Sequence, residues 1–185
     1  TLHNQGNNYD EDRLFGNVEL TYDLASNLSL LWRGGADDSN AFQKDWGNLG
    51  VITPGTPNGT ANNVVGSVSE ITRKNQQFNS DLVLNWKKDF SDRFNMSAFV
   101  GHNVNTRSAS LLISKVTNLV LPEFYNLSNS TVTPITQTAL SNRRLVGAYG
   151  QVSFGFDQWV YLSLGARNDW SSTLPAGANS YFYPN

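Results

Sequence analysis

The fold is decided by the stretch Arg144–Trp170, which reads RLVGAYGQVSFGFDQWVYLSLGARNDW. Apolar and polar residues alternate along it with a period of two, which is typical of strands with one apolar face. The alternation breaks at Asp157-Gln158, where two polar residues favour a turn. The stretch therefore predicts two antiparallel strands, about Arg144–Phe156 and about Trp159–Trp170, joined by a short connection.

The same pattern occurs twice more toward the N-terminus, so the sequence predicts about six strands in three hairpins. The four further strands are about Arg13–Leu24, about Leu28–Gly35, about Gln77–Lys88 and about Phe94–Asn105.

Long polar segments separate the three hairpins. The first begins at Asp37 and includes the turn-rich Thr53–Gly59, and the second contains Leu121–Ser130. Short turns at one end of the strands and long loops at the other are the layout of outer-membrane barrels. Strands of about ten residues are long enough to cross a bilayer at a tilt. The predicted fold class is all-β, an antiparallel up-and-down segment of a transmembrane β-barrel with short periplasmic turns and long extracellular loops.

Composition excludes several classes of function. Lys and Arg number 13 against 15 Asp and Glu, for a net charge of −2. That balance argues against a nucleic-acid partner, which requires a basic surface. The chain has no cysteine, and His3 and His102 are too few and too far apart for a metal site. We expect neither a metal nor another cofactor.

The distribution of apolar residues is compatible with membrane-spanning strands but not with a membrane-spanning helix. No run of about 18 apolar residues is present, so a transmembrane helix is not predicted. The face opposite the apolar stripe is mainly Asn, Ser, Gln, Gly and Tyr, which suits a hydrated interior. Aromatic residues cluster near the short turns, as in the aromatic girdle at a membrane boundary; a general preference of aromatic residues for strands is the simpler alternative. These girdle candidates are Tyr22, Trp86, Phe90, Phe94, Phe156, Trp159 and Tyr161.

Near the C-terminus, a strand ending in Arg167-Asn168-Asp169-Trp170 is followed by Ser171–Pro175 and by Phe182-Tyr183-Pro184. This part of the chain resembles the signature of the SusC/RagA type of TonB-dependent outer-membrane transporter. The segments Leu121-Pro122 and Phe124–Asn129 similarly resemble the loop before that hairpin.

The resemblance implies a barrel of about 22 strands plugged by an N-terminal domain. Residues 1–185 would then be one part of a single barrel domain, an internal piece of a longer protein without the plug and the remaining strands. The implied function is TonB-dependent import of glycans or peptides across the outer membrane of Bacteroidetes-type bacteria. The implied partners are a SusD-like lipoprotein, TonB, through parts of the protein outside this stretch, the cargo and outer-membrane lipid.

Candidate ligand contacts are aromatic and acidic residues placed in predicted loops, because loops carry specificity. Phe42, Asp45 and Trp46 in the first long segment, with Tyr181 and Tyr183 near the C-terminus, are suited to stacking on sugars or clamping a peptide. For the motif Arg167, Asn168, Asp169 and Trp170 we favour a structural role, with Arg167 and Asp169 tying neighbouring strands together.

No arrangement of Ser, His and Asp supports catalysis, so the chain is not expected to be an enzyme. Two alternatives remain open. One is a soluble carbohydrate-binding β-sandwich, in which Leu82, Val100, Val152 and Leu162 would interleave in a dry centre between two sheets. The other is a siderophore-type TonB-dependent receptor with a ferric chelate as cargo.

Overall fold

The computed structural model describes residues 5–50 and 64–185 and is built from strands. In chain order they are β1 Gln5–Ala25, β2 Leu28–Gly50, β3 Val64–Ser91, β4 Phe94–Thr117, β5 Ile135–Phe156, β6 Val160–Ser171 and β7 Ser180–Pro184.

All seven strands form one antiparallel sheet in which the spatial order is the chain order, β1 to β7. The sheet is not closed on itself, so β1 and β7 are its two edges. This architecture confirms the predicted all-β, up-and-down fold. Within the described part of the chain, no helix has the length and apolar character that a membrane crossing requires.

The strands are longer than the sequence predicted. We expected β2 to end near Gly35 and β4 near Asn105, but they run to Gly50 and Thr117. The strands β1, β3 and β5 begin at Gln5, Val64 and Ile135, earlier than the predicted Arg13, Gln77 and Arg144. The prediction that a loop begins at Asp37 was therefore wrong, whereas the predicted turn Thr53–Gly59 lies outside the described residues. The reason is that a strand needs only backbone pairing; where both faces carry polar side chains, the alternating pattern disappears although the strand continues.

A seventh strand was missed. β7 pairs with the C-terminal half of β6, from Trp170 opposite Ser180 to Ala166 opposite Pro184. Its five residues are too few to show a convincing alternation. Tyr181 and Tyr183, predicted in a loop, therefore lie on a strand.

Contacts divide the chain into two compact units. The turn unit comprises Leu14–Asp38, Gln76–Ser108 and Asn142–Asn185 and holds the three short turns; the loop unit comprises Thr1–Arg13, Ser39–Asn75 and Ala109–Ser141.

In the turn unit, even-numbered residues of the first six strands form an apolar face. Many of its side chains are exposed, from 80% for Leu14 to 40% for Trp170. Near the turns this face carries a chain of ring contacts, from Trp86 to Phe90 to Phe94 to Phe154, with centroids 5.7–6.5 Å apart. Leu82, Val100 and Leu162 are 44–59% exposed, so the dry centre expected of a β-sandwich is not present among the described residues.

The loop unit contains a small buried core. Val68 on β3, Val116 on β4 and Leu119 just after β4 are buried, with Trp46, Tyr125 and Leu127 packed against them. Gly66 is required beside this core, because its φ of +67° disfavours any side chain and a Cβ there would meet Leu119 at 3.0 Å. The β4–β5 connection is therefore anchored by its own apolar residues.

The β5–β6 connection is short and conformationally demanding. It consists of three residues between Phe156 and Val160, which pair directly. Asp157 and Gln158 have positive φ angles of 52° and 63°, which non-glycine residues seldom adopt. The neighbouring β3–β4 turn supports it, since Asp157 N donates to Arg93 O at 2.6 Å and the Arg93 guanidinium lies 3.7 Å from the Asp157 carboxylate.

Candidate functional site

Odd-numbered residues of the turn unit form a polar face, and a hydrogen-bonded cluster lies on it. Asn103 Nδ2 donates to Asp81 Oδ1 at 2.8 Å and to Asn79 Oδ1 at 3.2 Å. The Asp81 carboxylate also interacts with the Tyr149 hydroxyl. These contacts link β3, β4 and β5 through side chains alone.

The cluster continues to β6 through Arg167. Its Nε donates to both Asp169 oxygens, at 2.8 and 2.9 Å, and its Nη2 lies 2.8 Å from Asp169 Oδ1. The guanidinium carbon lies 5.2 Å from the centre of the Tyr149 ring, within the range of a cation–π contact. Arg167 and Asp169 thus pair within β6, and the tie to β5 runs through Tyr149.

Two glycines make room for these side chains. A Cβ at Gly147 would lie 2.6 Å from Asp169 Oδ1 and would also contact the Arg167 guanidinium. A Cβ at Gly101 would lie 2.5 Å from the Tyr149 ring. The ion pair and the ring therefore lie flat against the backbone of the neighbouring strand.

The predicted ligand residues Tyr181 and Tyr183 lie beside this cluster. Tyr183 is opposite Arg167, and Tyr181 is opposite Asp169, so all four share the polar face. Asn168 and Trp170 point to the other face, where Asn168 Nδ2 donates to Ser180 Oγ at 2.9 Å and Trp170 is 40% exposed. The structure thus brings two candidate ligand residues together with half of the sequence motif.

Asp45, also predicted to contact ligand, is part of a second polar cluster in the loop unit. Its carboxylate accepts hydrogen bonds from Asn7 Nδ2 and, at 3.0 Å, from Gln43 Nε2. Arg73 Nη1 donates to Gln43 Oε1 at 2.9 Å. Nearby on β1, the Tyr9 hydroxyl donates to Glu11 at 3.0 Å, and this hydrogen bond raises the pKa of Tyr9 above its ordinary value.

Trp46 lies at an even-numbered position of β2, next to Asp45 but on the opposite face. Its ring is 5.6 Å from that of Tyr125, at 31°. With Asn7, Asn8 and Lys44, these rings line an open cavity of about 430 Å³. Phe42 is on the same face of β2 as Trp46 and is 38% exposed. Contacts with Tyr125 and the small core account for the position of Trp46 without a ligand.

Sequence reasoning missed several members of both clusters. Tyr149, Asp81 and Asn103 appeared only as ordinary polar positions of strands, because nothing local indicates their partners. The signal for Tyr149 lies in the turn: once Phe156 is paired with Val160, counting outward places Tyr149 opposite Arg167. Among residues 5–50 and 64–185, no group of three or more His, Cys, Asp or Glu side chains is arranged to hold a metal ion.

No protein-family model matches the chain, and no curated protein matches it. Solved structures are similar in fold. The chain superposes on a RagAB peptide transporter with a TM-score of 0.80 at 15% sequence identity, covering 96% of this chain and 20% of that one. For the RagAB peptide importer in its open-open state the values are 0.81, 14%, 96% and 19%, and in its closed-closed state 0.80, 15%, 96% and 20%.

At these identities the likeness concerns the fold. The chain spans about a fifth of the length of the RagAB chains that it matches. The neighbours are transporters whose fold contains a sheet like this one along nearly its whole length.

Proposed function

We propose that residues 1–185 form part of the barrel wall of a TonB-dependent outer-membrane importer of the SusC/RagA type, which takes up glycans or peptides with a SusD-like lipoprotein. In this proposal the plug and the remaining strands belong to other parts of the protein. The protein acts as a transporter in the outer membrane and carries out no catalysis.

One observation carries the proposal: the turn unit exposes a continuous apolar face on one side of a sheet whose other side is hydrogen-bonded and polar. In water, exposed apolar surface of that extent is unfavourable. It is the arrangement required of a strand with lipid on one side and a hydrated interior on the other. The likeness to RagAB peptide importers over 96% of the chain gives independent support.

Within this proposal, Tyr181, Tyr183 and Asp45 are the best-placed ligand contacts. All three occupy odd-numbered positions, and each adjoins charged or amide side chains. Phe42 and Trp46 occupy even-numbered positions, so we propose for them contacts outside the transport path.

The test uses the full-length protein expressed in its native outer membrane. We expect fractionation with that membrane, extraction only with detergent, and heat-modifiable mobility on gels. Uptake of a fluorescent peptide or glycan pool should stop when TonB is deleted and when the SusD-like lipoprotein is deleted. Recovery of the full-length protein as a water-soluble monomer would refute the proposal.

The same preparation distinguishes a siderophore-type receptor from a glycan or peptide importer. Uptake of ferric chelates that is TonB-dependent but independent of any lipoprotein would replace the glycan or peptide assignment while leaving the barrel intact. No residue contact in the described part of the chain favours that alternative.

A further inference from the structure

The register of β4 and β5 places two arginines directly opposite each other. Ser108 Oγ donates to Asn142 Oδ1 at 2.7 Å, and Gly150 lies against the backbone of Val100. Counting from either contact along the antiparallel pair puts Arg107 opposite Arg143. Directly opposed residues of neighbouring strands project to the same face of the sheet.

That face is the polar one. Arg107 and Arg143 are odd-numbered, like Tyr149 and Arg167, and both are exposed. Neither side chain has an ion-pair or hydrogen-bond partner within residues 5–50 and 64–185. They differ in this respect from Arg167, whose charge is compensated by Asp169.

In the part of the chain that the structure describes, no carboxylate occupies a strand position next to either arginine, although Asp37 lines the same open cavity. The β3 residue beside Arg107 is Gln77, because Asn105 Nδ2 donates to Asn79 Oδ1 two positions along. Across the strands from Arg107, the first acidic residue is Asp37 on β2, which lies beyond Gln77. Asp37 has interactions of its own. With strands about 4.8 Å apart, two strand spacings separate Asp37 from Arg107.

An uncompensated pair of this kind is unfavourable by itself. Like charges opposed across two strands repel, and a guanidinium does not lose its charge at any physiological pH. An oxyanion between the two side chains removes the repulsion and accepts several hydrogen bonds. The planar fork of arginine matches carboxylate oxygens better than the point charge of lysine does.

We propose that Arg107 and Arg143 form a binding site for a carboxylate group of the cargo. The inference rests on the proposed import function and narrows it: the cargo, or the part of it that passes this wall, is acidic. A peptide C-terminus and a uronic acid supply the same chemical group, so both are compatible with the site.

The experiment uses the full-length protein in detergent and two matched probe pairs. One pair is a fluorescent tetrapeptide with a free C-terminal carboxylate and the same peptide as its amide; the other is a fluorescent oligogalacturonate and its methyl ester. Fluorescence anisotropy gives the Kd of each probe for wild type, for the double variant R107Q/R143Q and for R144Q. Arg144 is a matched control, because it follows Arg143 directly and projects to the opposite face.

We expect at least one carboxylate probe to bind wild type about tenfold or more tightly than its neutral partner, as loss of a charged hydrogen bond implies. R107Q/R143Q should abolish that preference, R144Q should retain it, and added salt should weaken it. The probe pair that shows the preference identifies the source of the carboxylate.

Equal affinity for charged and neutral probes in wild type overturns the inference, as does a preference that survives in R107Q/R143Q or disappears in R144Q. Unchanged probe binding with a lowered unfolding temperature in the double variant also overturns it, because the pair would then bind a group of the protein itself. Each of these results arises in protein that still fractionates with the outer membrane, which separates them from failure of the proposed function.

Discussion

The turn unit and the loop unit share β1 to β5 but differ in how far their apolar residues are covered. In the turn unit, Leu20, Val100 and Leu162 are more than half exposed. In the loop unit, Val68, Val116 and Leu119 are at most 5% exposed, and a connecting segment packs over them. The turn unit leaves a large apolar face uncovered, whereas the loop unit buries a small core and exposes single apolar residues such as Ile135 and Leu140.

The proposed outer-membrane location predicts this pattern, with hydrocarbon beside the turn unit and water beside the loop unit. Water drives apolar side chains together, so a water-exposed strand needs a cover such as Tyr125 and Leu127. Hydrocarbon exerts no such force, so strands in a bilayer leave their outward apolar residues uncovered. Exposure of apolar side chains is therefore the feature that best distinguishes the two units. Substitutions at defined positions test this distinction.

The largest effect is expected from a charge on the apolar face. Under the proposed membrane location, Leu164→Arg in full-length protein folded into lipid vesicles should lower the free energy of unfolding by about 2–4 kcal/mol, because a charged side chain that faces hydrocarbon is costly. Denaturant titration monitored by gel mobility measures it.

Ser163→Arg is the matched control, one residue away on the polar face, and should cost less than about 0.5 kcal/mol. Equal effects of the two substitutions would show that both faces meet the same solvent, and the distinction between the units would collapse.

A second effect tests the covered core. Leu119→Ala should lower the stability of the β4–β5 connection by about 2 kcal/mol, because it removes a buried side chain from a cluster of few members. Hydrogen exchange of the Leu121 amide, which donates to Asn129 Oδ1 at 2.9 Å, measures the local opening.

Leu112→Ala, at a 43% exposed position of the same unit, should leave that exchange nearly unchanged. If both variants exchange alike, the cluster does not hold the connection in place.

A smaller loss of stability is expected when a methyl group is placed at Gly147, beneath the Arg167–Asp169 ion pair. Gly147→Ala should destabilise the full-length protein by about 1 kcal/mol, since the new methyl displaces the Asp169 carboxylate and the Arg167 guanidinium. Gly16→Ala meets nothing within 4 Å and should be neutral or slightly stabilising. A neutral Gly147→Ala would mean that the pair shifts without cost.

The smallest effect is expected from Arg167→Lys. The ammonium keeps the charge but loses the two-oxygen contact with Asp169, and the site is partly exposed, so about 0.5 kcal/mol should be lost. Melting of wild type and variant at low and high salt measures it; a variant as stable as wild type at low salt would show that the bidentate geometry contributes nothing.

Alternation in Arg144–Trp170 was sufficient to predict β6, the second part of β5 and their antiparallel pairing, but not that β5 begins at Ile135. It could not show where β2 and β4 end, because strands such as Ser39–Gly50 have polar residues on both faces and therefore no period-two signal. Nor could it detect β7, which is held mainly by backbone pairing with β6.

The candidate sites were predictable only in part. Tyr181, Tyr183 and Asp45 were selected by residue type, and their ligand role stays a prediction. Their neighbours depend on register: Tyr149 reaches Arg167, and Arg107 faces Arg143, through pairings between residues far apart in the chain. The chemistry of each side chain could be predicted from the sequence. Which side chains are neighbours became clear only from the pairing of the strands in the sheet.

The three-residue connection between β5 and β6 limits how this chain can vary in length. One residue added there would shift β6 by a single position and exchange its two faces, moving Arg167 to the face that now carries Leu164. Insertions and deletions among homologous chains should therefore be rare at Asp157–Trp159 and should accumulate at the opposite strand ends, such as residues 118–134, where a longer connection leaves every pairing intact.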